Sequence, residues 1–338
     1  MDSFAFVIHP VDPKRDVARK YPRLAKALPA GLIHFLSPFW PPVYLSHVTG
    51  VRSEATGKGI EGWLLACPLT ARQALKLPTW AVYTKIIATG RLAQRLGARV
   101  LGLGAFTSVV GDAGVTVARH LDIPVTTGHS FTVATAIEAL EEGARCKGVR
   151  LESSTVAVVG ATGSIGRTCA EMLAPAVERL VLVGRSEPRL AQVRDQVEEA
   201  GARRVCFSTR IEDVCEADLV LSATSAAEVI VQPEHLKRGA IVCDMALPPD
   251  VSPRITQERS DVLVVAGGVV DVPGEVDFGF DFGLLPGRAY ACMAEAMVLA
   301  LDGRYESYSL GKRVQVSQVH EIARLARKHG FRLSAICR

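Results

Sequence analysis

The chain has 338 residues, 49% hydrophobic and 22% charged, which is long enough for two domains that each bury a core without staples. A formal net charge of +4 with no basic run interleaved with aromatics argues against nucleic-acid binding, and no uninterrupted apolar run approaches the ~18–20 residues that span a bilayer. The eight cysteines, at 67, 146, 169, 206, 215, 243, 292 and 337, contain no C-x-x-C pair, so no metal site, no disulfide framework and reduced thiols are expected. The first ten residues carry an early acid and no basic n-region, and a cytoplasmic protein is the expectation.

In chain order, residues 4–8 read as a short apolar strand and 13–28 as a charged helix. The stretch 32–45 concentrates aromatics and prolines, and its pattern favours an extended or looping segment over a helix. It is read either as a buried strand with proline-broken ends or as an apolar wall for a long substrate. Strands over 43–51 and 59–66 flank the turn 55–58 as a hairpin, and helices follow over 70–77 and 79–96. Two strands then empty into small-residue loops ending in hydroxyls: 99–108, with Thr107 and Ser108, and 123–132, with His129 and Thr132. Loops at the carboxyl ends of strands are where open α/β sheets bind ligands, although Ser/Thr turn capping explains each hydroxyl taken alone. A helix over 131–147, with Val133, Ile137, Leu140 and Ala144 as its apolar stripe, is expected to bridge the first domain to the next.

The stretch 155–166 runs four apolar residues into Gly160, Gly163 and Gly166, a strand turning into a helix with G-x-x-G-x-x-G spacing. A helix amino end presents unpaired N–H groups and partial positive charge, and the glycines, with Thr162, Ser164 and Ile165, leave a pyrophosphate room to approach. An ordinary tight strand-to-helix loop is the competing explanation. Strands over 180–183, 205–207, 218–223, 239–244 and 261–266, interleaved with a helix over 188–200, predict a doubly wound parallel sheet, with Ala223 and Thr224 at the end of its fourth strand as further cofactor-binding residues. The second strand ends in Gly184, Arg185 and Ser186, where an NAD site places an acid for the ribose hydroxyls. An arginine and a serine there can hold a 2′-phosphate, which favours NADPH; a solvated turn arginine is the alternative. Charge-assisted bonds of about 1.5–3 kcal/mol correspond to roughly tenfold to hundredfold discrimination.

After Gly267 and Gly268 and an aromatic, acidic loop, a helix is expected over 288–301, with Cys292 in its second turn. Ala289, Cys292, Ala296 and Leu299 make a helical stripe, so periodicity alone reads Cys292 as a core residue. The chemical reading places Arg288 one turn below and the helix dipole alongside, both stabilising a thiolate, with Glu295 opposing it or relaying a proton.

Taken together, the segments 160–166, 104–108, 126–132, 267–270 and 290–297 resemble the long-chain acyl-[acyl-carrier-protein] reductases known from cyanobacteria. The resemblance spans most of the chain. It implies NADPH-dependent reduction of a fatty acyl thioester, carried by acyl carrier protein or by CoA, to a fatty aldehyde. It also implies Cys292 as the nucleophile that holds the acyl group, and an aldehyde-deformylating oxygenase as a companion enzyme. Where the family's second hydroxyl loop carries Asn and then His, this sequence has His129 and Phe131. The expected plan is α/β: an N-terminal α/β substrate domain (1–150), a Rossmann-type doubly wound parallel sheet binding NADP (151–285), and C-terminal helices carrying the nucleophile (286–338). The order of parts is similar also to that of shikimate dehydrogenases, which reduce a small polar substrate without a cysteine nucleophile. A cofactor-sensing protein without turnover is a third alternative.

Overall fold

The computed structural model describes residues 2–10, 13–226 and 228–335. Its contacts divide the chain into two compact units, each discontinuous: residues 1–128, 271–312 and 324–332 form the first, and 129–270, 313–323 and 333–338 the second.

The first unit opens with strand β1 (Ser3–Ile8), helices α1 (Pro13–Lys20), α2 (Pro22–Ala27) and α3 (Ala30–Leu36), the hairpin β2 (Val43–Arg52) and β3 (Gly59–Ala66), helices α4 (Ala71–Lys76) and α5 (Thr79–Arg95), and the short strands β4 (Leu101–Leu103) and β5 (Val125–Thr126). Where one helix was expected over 13–28 there are two. Pro22 opens α2, and a residue before proline is pushed out of the helical region, as Tyr21 is at φ −128° and ψ 68°. The expectation of an extended segment over 32–45 is corrected as well: α3 forms because its seven residues contain no proline, and the prolines at 38, 41 and 42 act only after it. β1 lies between β3 and β4, parallel to both. Its residues Phe4 to Val7 are almost wholly buried because both faces are covered.

The second unit contains helix α6 (His129–Lys147), β6 (Thr155–Val159), α7 (Ser164–Leu173), β7 (Arg179–Val183), α8 (Glu187–Glu199), β8 (Val205–Ser208), β9 (Leu219–Ser222), β10 (Ile241–Asp244) and β11 (Leu263–Ala266). Its six strands are all parallel in the order β11-β10-β9-β6-β7-β8. This is the doubly wound arrangement, which reverses direction between β6 and β9. Val133, Ala136, Leu140 and Ala144 of α6 are buried in the same core as Leu182, Leu221, Ile241 and Val265. At roughly 1.5–3 kcal/mol for each fully buried large aliphatic, that stripe fixes the helix against the sheet.

The chain then returns to the first unit with β12 (Gly274–Asp277), β13 (Arg288–Tyr290) and α9 (Ala291–Asp302), followed by α10 (Val316–His329). β12 pairs antiparallel with β2, which completes a mixed sheet in the order β12-β2-β3-β1-β4-β5. The helix expected from residue 288 therefore starts at Ala291, with residues 288–290 in a strand. Cys67, Cys169, Cys206, Cys215, Cys243 and Cys292 are free thiols. Cys146 is exposed on the last turn of α6, and Cys337 lies outside the described residues. Among the described residues no helix is long and apolar enough to cross a membrane, and no group of three His, Cys, Asp or Glu could hold a metal ion.

Candidate functional site

In the second unit, the carboxyl ends of β6 and β9 lie side by side at the point where the strand order reverses. Gly160 leaves β6 at φ +83°, and a side-chain carbon on it would come within 2.5 Å of the Ala223 carbonyl. A side-chain carbon on Gly166 would lie 2.4 Å from the Gly160 carbonyl oxygen, so only glycine lets α7 pack this close to the strand. Gly163 precedes α7, is exposed, and caps it with no side chain. The first amides of α7, at Ser164 and Ile165, thus open onto the loop beside Thr162, which is the donor set a pyrophosphate takes. Across the crevice, Thr224 donates its N–H and its hydroxyl to Asp250 at 3.0 and 2.7 Å, and Ser222 donates its hydroxyl to the same carboxylate at 2.8 Å. Asp250 is fully buried and holds the wall formed by Ala223 and Thr224 in place. Nothing in its local sequence announced that role; it emerges from the fold.

β7 ends at Val183, and Arg185 is exposed immediately before Ser186, which precedes α8. The sequence reading missed a neighbouring group of cations. Burial depresses the pKa of Arg167, with the charges of Arg313 and Arg189 adding to the shift, and its Nε is buried with no hydrogen-bond partner among the described residues. The spacing of Arg189, four residues after Arg185, was the available signal.

His129, the first residue of α6, is buried, with Nδ1 3.2 Å from the Ser164 hydroxyl. Burial pushes its pKa down to about 4, so the ring is neutral at physiological pH. A residue expected near substrate therefore contacts the glycine loop. Thr132, one turn along the same helix, is buried and accepts at its carbonyl from the Thr135 hydroxyl at 3.0 Å.

The first unit holds Cys292, the second residue of α9, in the first turn and not the second. Three N–H groups favour its sulfur: its own, that of Met293, and that of Ala105. Ala105 sits at φ 46° and ψ −123°, a strained conformation for a residue with a side chain. The turn it belongs to is tied down from several sides. Gly104 donates its N–H to the Val7 carbonyl at 2.9 Å, Thr107 donates its hydroxyl to the Gly104 carbonyl at 2.8 Å, and Ser108 donates to the Ala105 carbonyl at 2.6 Å. Phe106 donates its N–H to His9 Nε2 at 3.1 Å, while His9 Nδ1 lies 3.2 Å from the Pro10 carbonyl and carries the ring proton. Burial lowers the His9 pKa, which keeps the ring neutral and Nε2 an acceptor.

Gly128, at φ +73°, passes directly over Cys292. Three residues beyond the cysteine, Glu295 is fully buried and accepts hydrogen bonds from the Thr126 and Ser309 hydroxyls, the second at 2.7 Å. Burial and the Glu295 charge raise the Cys292 thiol to about 12, against the three amides. The expected help from Arg288 does not materialise: it lies in β13, outside the helix, and its Nε is 3.0 Å from the Asp271 carboxylate. Cys292 is thus a neutral thiol at neutral pH.

A family model described as shikimate / quinate 5-dehydrogenase matches residues 142–265. The chain is 32% identical over 283 residues to aminotransferase PigE of Serratia sp., an alignment covering 82% of this chain and 33% of that protein. It is 27% identical over 317 residues to the long-chain acyl-[acyl-carrier-protein] reductase of Synechococcus elongatus, covering 88% of this chain and 90% of that one. It is 38% identical over 111 residues to a glutamyl-tRNA reductase of Thermomicrobium roseum, covering 31% and 26%. The chain thus spans about a third of the length of the first of these relatives and nine-tenths of the second. The sheet order, the glycine cradle and the family match over residues 142–265 give the second unit a shikimate-dehydrogenase-like fold that binds a nicotinamide cofactor.

Proposed function

We propose that the protein reduces a long-chain fatty acyl thioester, carried by acyl carrier protein or by CoA, to a fatty aldehyde with NADPH, through an acyl-enzyme on Cys292. The observation that carries this reading is the position of the Cys292 sulfur at the amino end of α9, faced by the Ala105 N–H from a strained turn. The likeness to the Synechococcus elongatus reductase over nine-tenths of its length supports the substrate class.

Gly160, Thr162, Gly163, Ser164, Ile165 and Gly166 would hold the cofactor's pyrophosphate, Ala223 and Thr224 the opposite wall, and Arg185 with Ser186 the 2′-phosphate. NADPH, when bound, supplies the hydride. The chain's own residues do the rest. Cys292 sulfur bonds to the acyl carbon as the carbon–sulfur bond to the carrier breaks, and the thiol proton goes to the departing carrier thiolate. The amides of Ala105, Cys292 and Met293 meet the negative charge that develops on the acyl oxygen, while Thr107 and Ser108 hold the turn that aims the first of them. After reduction at the acyl carbon, the carbon–sulfur bond to Cys292 breaks, the sulfur regains a proton and the aldehyde leaves. His129 fixes the Ser164 hydroxyl beside the cofactor loop, and Thr132 remains a candidate for the substrate side.

The match over residues 142–265 favours as second reading a dehydrogenase of a small polar substrate, which needs no nucleophilic cysteine. Incubation with NADPH and palmitoyl thioester tests the choice. Aldehyde formation supports acyl reduction. Absence of aldehyde with both CoA and carrier thioesters rejects it, and absence of turnover on polar hydroxy acids and acyl thioesters alike leaves a cofactor sensor.

A further inference from the structure

The helices at the start of the first unit expose apolar side chains that a folded core would normally cover. α3 buries Ile33 completely and turns Leu32, Phe35 and, one turn beyond its end, Phe39 to solvent; Phe35 is 67% exposed and Phe39 75%. Their rings lie 6.2 Å apart on one side of the helix, as the spacing of i, i+3 and i+7 dictates. Hydrogen bonds tie this segment to α4, through Gln73 to the His34 carbonyl and the Ser37 hydroxyl, and to α5, through Lys85 to the Trp40 carbonyl at 3.0 Å. The first turn of α5 adds Trp80, 71% exposed.

Charge accompanies this apolar face. Residues 13–40 contain Lys14, Arg15, Arg19, Lys20, Arg23 and Lys26 against Asp16 as the single acid. Lys14, Arg15, Arg23 and Lys26 are exposed, as are Arg72 and Lys76 on α4. Exposed aromatics on a segment rich in exposed cations match the interface of an anionic bilayer, where rings insert at the headgroup boundary and Lys and Arg meet lipid phosphates. A second copy of the chain would bring these cations against their own counterparts, and an acidic protein, whose interface also uses aromatics and arginine, is an outcome that the vesicle test separates.

We propose that this face docks on an anionic membrane surface, with Leu32, Phe35, Phe39 and Trp80 entering the headgroup boundary and the surrounding cations facing lipid phosphates. The contact is peripheral, since no helix among the described residues can cross a bilayer. It goes beyond the catalytic reading and does not depend on it, because vesicle binding needs no turnover.

Co-sedimentation of the full chain with phosphatidylcholine vesicles, with and without phosphatidylglycerol, tests the proposal. Binding should require the anionic lipid and weaken steeply with salt. Phe35→Ser with Phe39→Ser should lower the partition coefficient at least about tenfold. The combination Lys14→Gln, Arg15→Gln, Arg23→Gln and Lys26→Gln should lower it on the order of a hundredfold. Unchanged circular dichroism and cofactor titration would show that both variants are folded. Three results overturn the proposal: no partition onto anionic vesicles, equal partition onto neutral ones, or full binding by both variants. Loss of free acyl carrier protein binding in the cation variant, with no vesicle binding by the wild type, would reassign the face to an acidic protein.

Discussion

A side-chain carbon on Gly128 would stand 2.3 Å from the Cα of Cys292, so the chain crosses the proposed nucleophile at a distance that only glycine permits. Gly128 is also at φ +73°, which an alanine adopts only with strain. Gly128→Ala should therefore displace the amino end of α9. Overpacking and strain together should cost about 1–3 kcal/mol of stability and lower acylation of Cys292 at least tenfold. Cofactor titration of the same variant reads any disturbance passed to the glycine loop through the adjoining His129, which contacts Ser164. Wild-type acylation in this variant would show that the close approach has no part in catalysis.

Cys292→Ala should abolish aldehyde formation while leaving NADPH binding intact. Wild-type protein incubated with acyl thioester in the absence of NADPH should gain one acyl mass, mapped by peptide digestion to Cys292 and to no other cysteine. The variant makes only a small volume change, so a purely structural cysteine would leave activity largely in place. An intact-mass spectrum without an adduct, together with near-normal activity of Cys292→Ala, would falsify the covalent route.

The thiol of Cys292, pushed up to about 12 by burial, is almost wholly protonated at neutral pH. Its alkylation by iodoacetamide should rise roughly tenfold per pH unit between about pH 6 and 9 without a plateau. Glu295 adds to the upward shift, so Glu295→Gln should speed alkylation a few-fold at fixed pH. The same change disturbs the bonds from Thr126 and Ser309, at a cost of about 1–3 kcal/mol in stability. A plateau near pH 7 in the wild type would mean that the sulfur is better solvated than its surroundings suggest.

Arg185→Ala should weaken NADPH roughly tenfold to a hundredfold and NADH little, as expected for the loss of a charge-assisted bond to the 2′-phosphate. Equal loss of both affinities in fluorescence titrations would remove Arg185 from that role and direct attention to Arg189 and Arg167.

His129 is held neutral, its pKa lowered from 6.5 to about 4. Between those values the unfolded chain binds more protons than the folded one, so stability should fall as pH drops from about 6.5 toward 4. His129→Asn should flatten that part of the curve in denaturant melts at stepped pH. An unchanged slope would place the acid sensitivity elsewhere.

Much of the second unit was legible from residues alone, because a parallel sheet buried on both faces writes itself as short apolar runs and a phosphate loop needs its glycines at set spacings. The strands ending at Val159, Val183, Ser222 and Asp244, the turn at Gly160 and the absence of an acid after Val183 are all local features. Cys292 stood out by its surroundings in sequence, but its electrostatics did not. Whether residues 288–290 continue the helix or form a strand depends on pairing that periodicity does not encode, and that choice removed Arg288 from the sulfur.

Proline content likewise suggested an extended segment over 32–45, whereas a seven-residue stretch between prolines sufficed for α3 once Ile33 had a core to enter. The amino-acid order by itself determined the alternation of strands and helices, the glycine cradle and the chemistry available at Arg185 and Cys292. Tertiary structure alone decided that Ala105 aims its amide at Cys292, that Asp250 braces Thr224, that Glu295 is buried under Thr126 and Ser309, and that Gly128 lies against the cysteine. The reason is separation along the chain. Each of these pairs joins residues 14 to 187 positions apart, and local propensities carry no information about which distant backbone will arrive beside them.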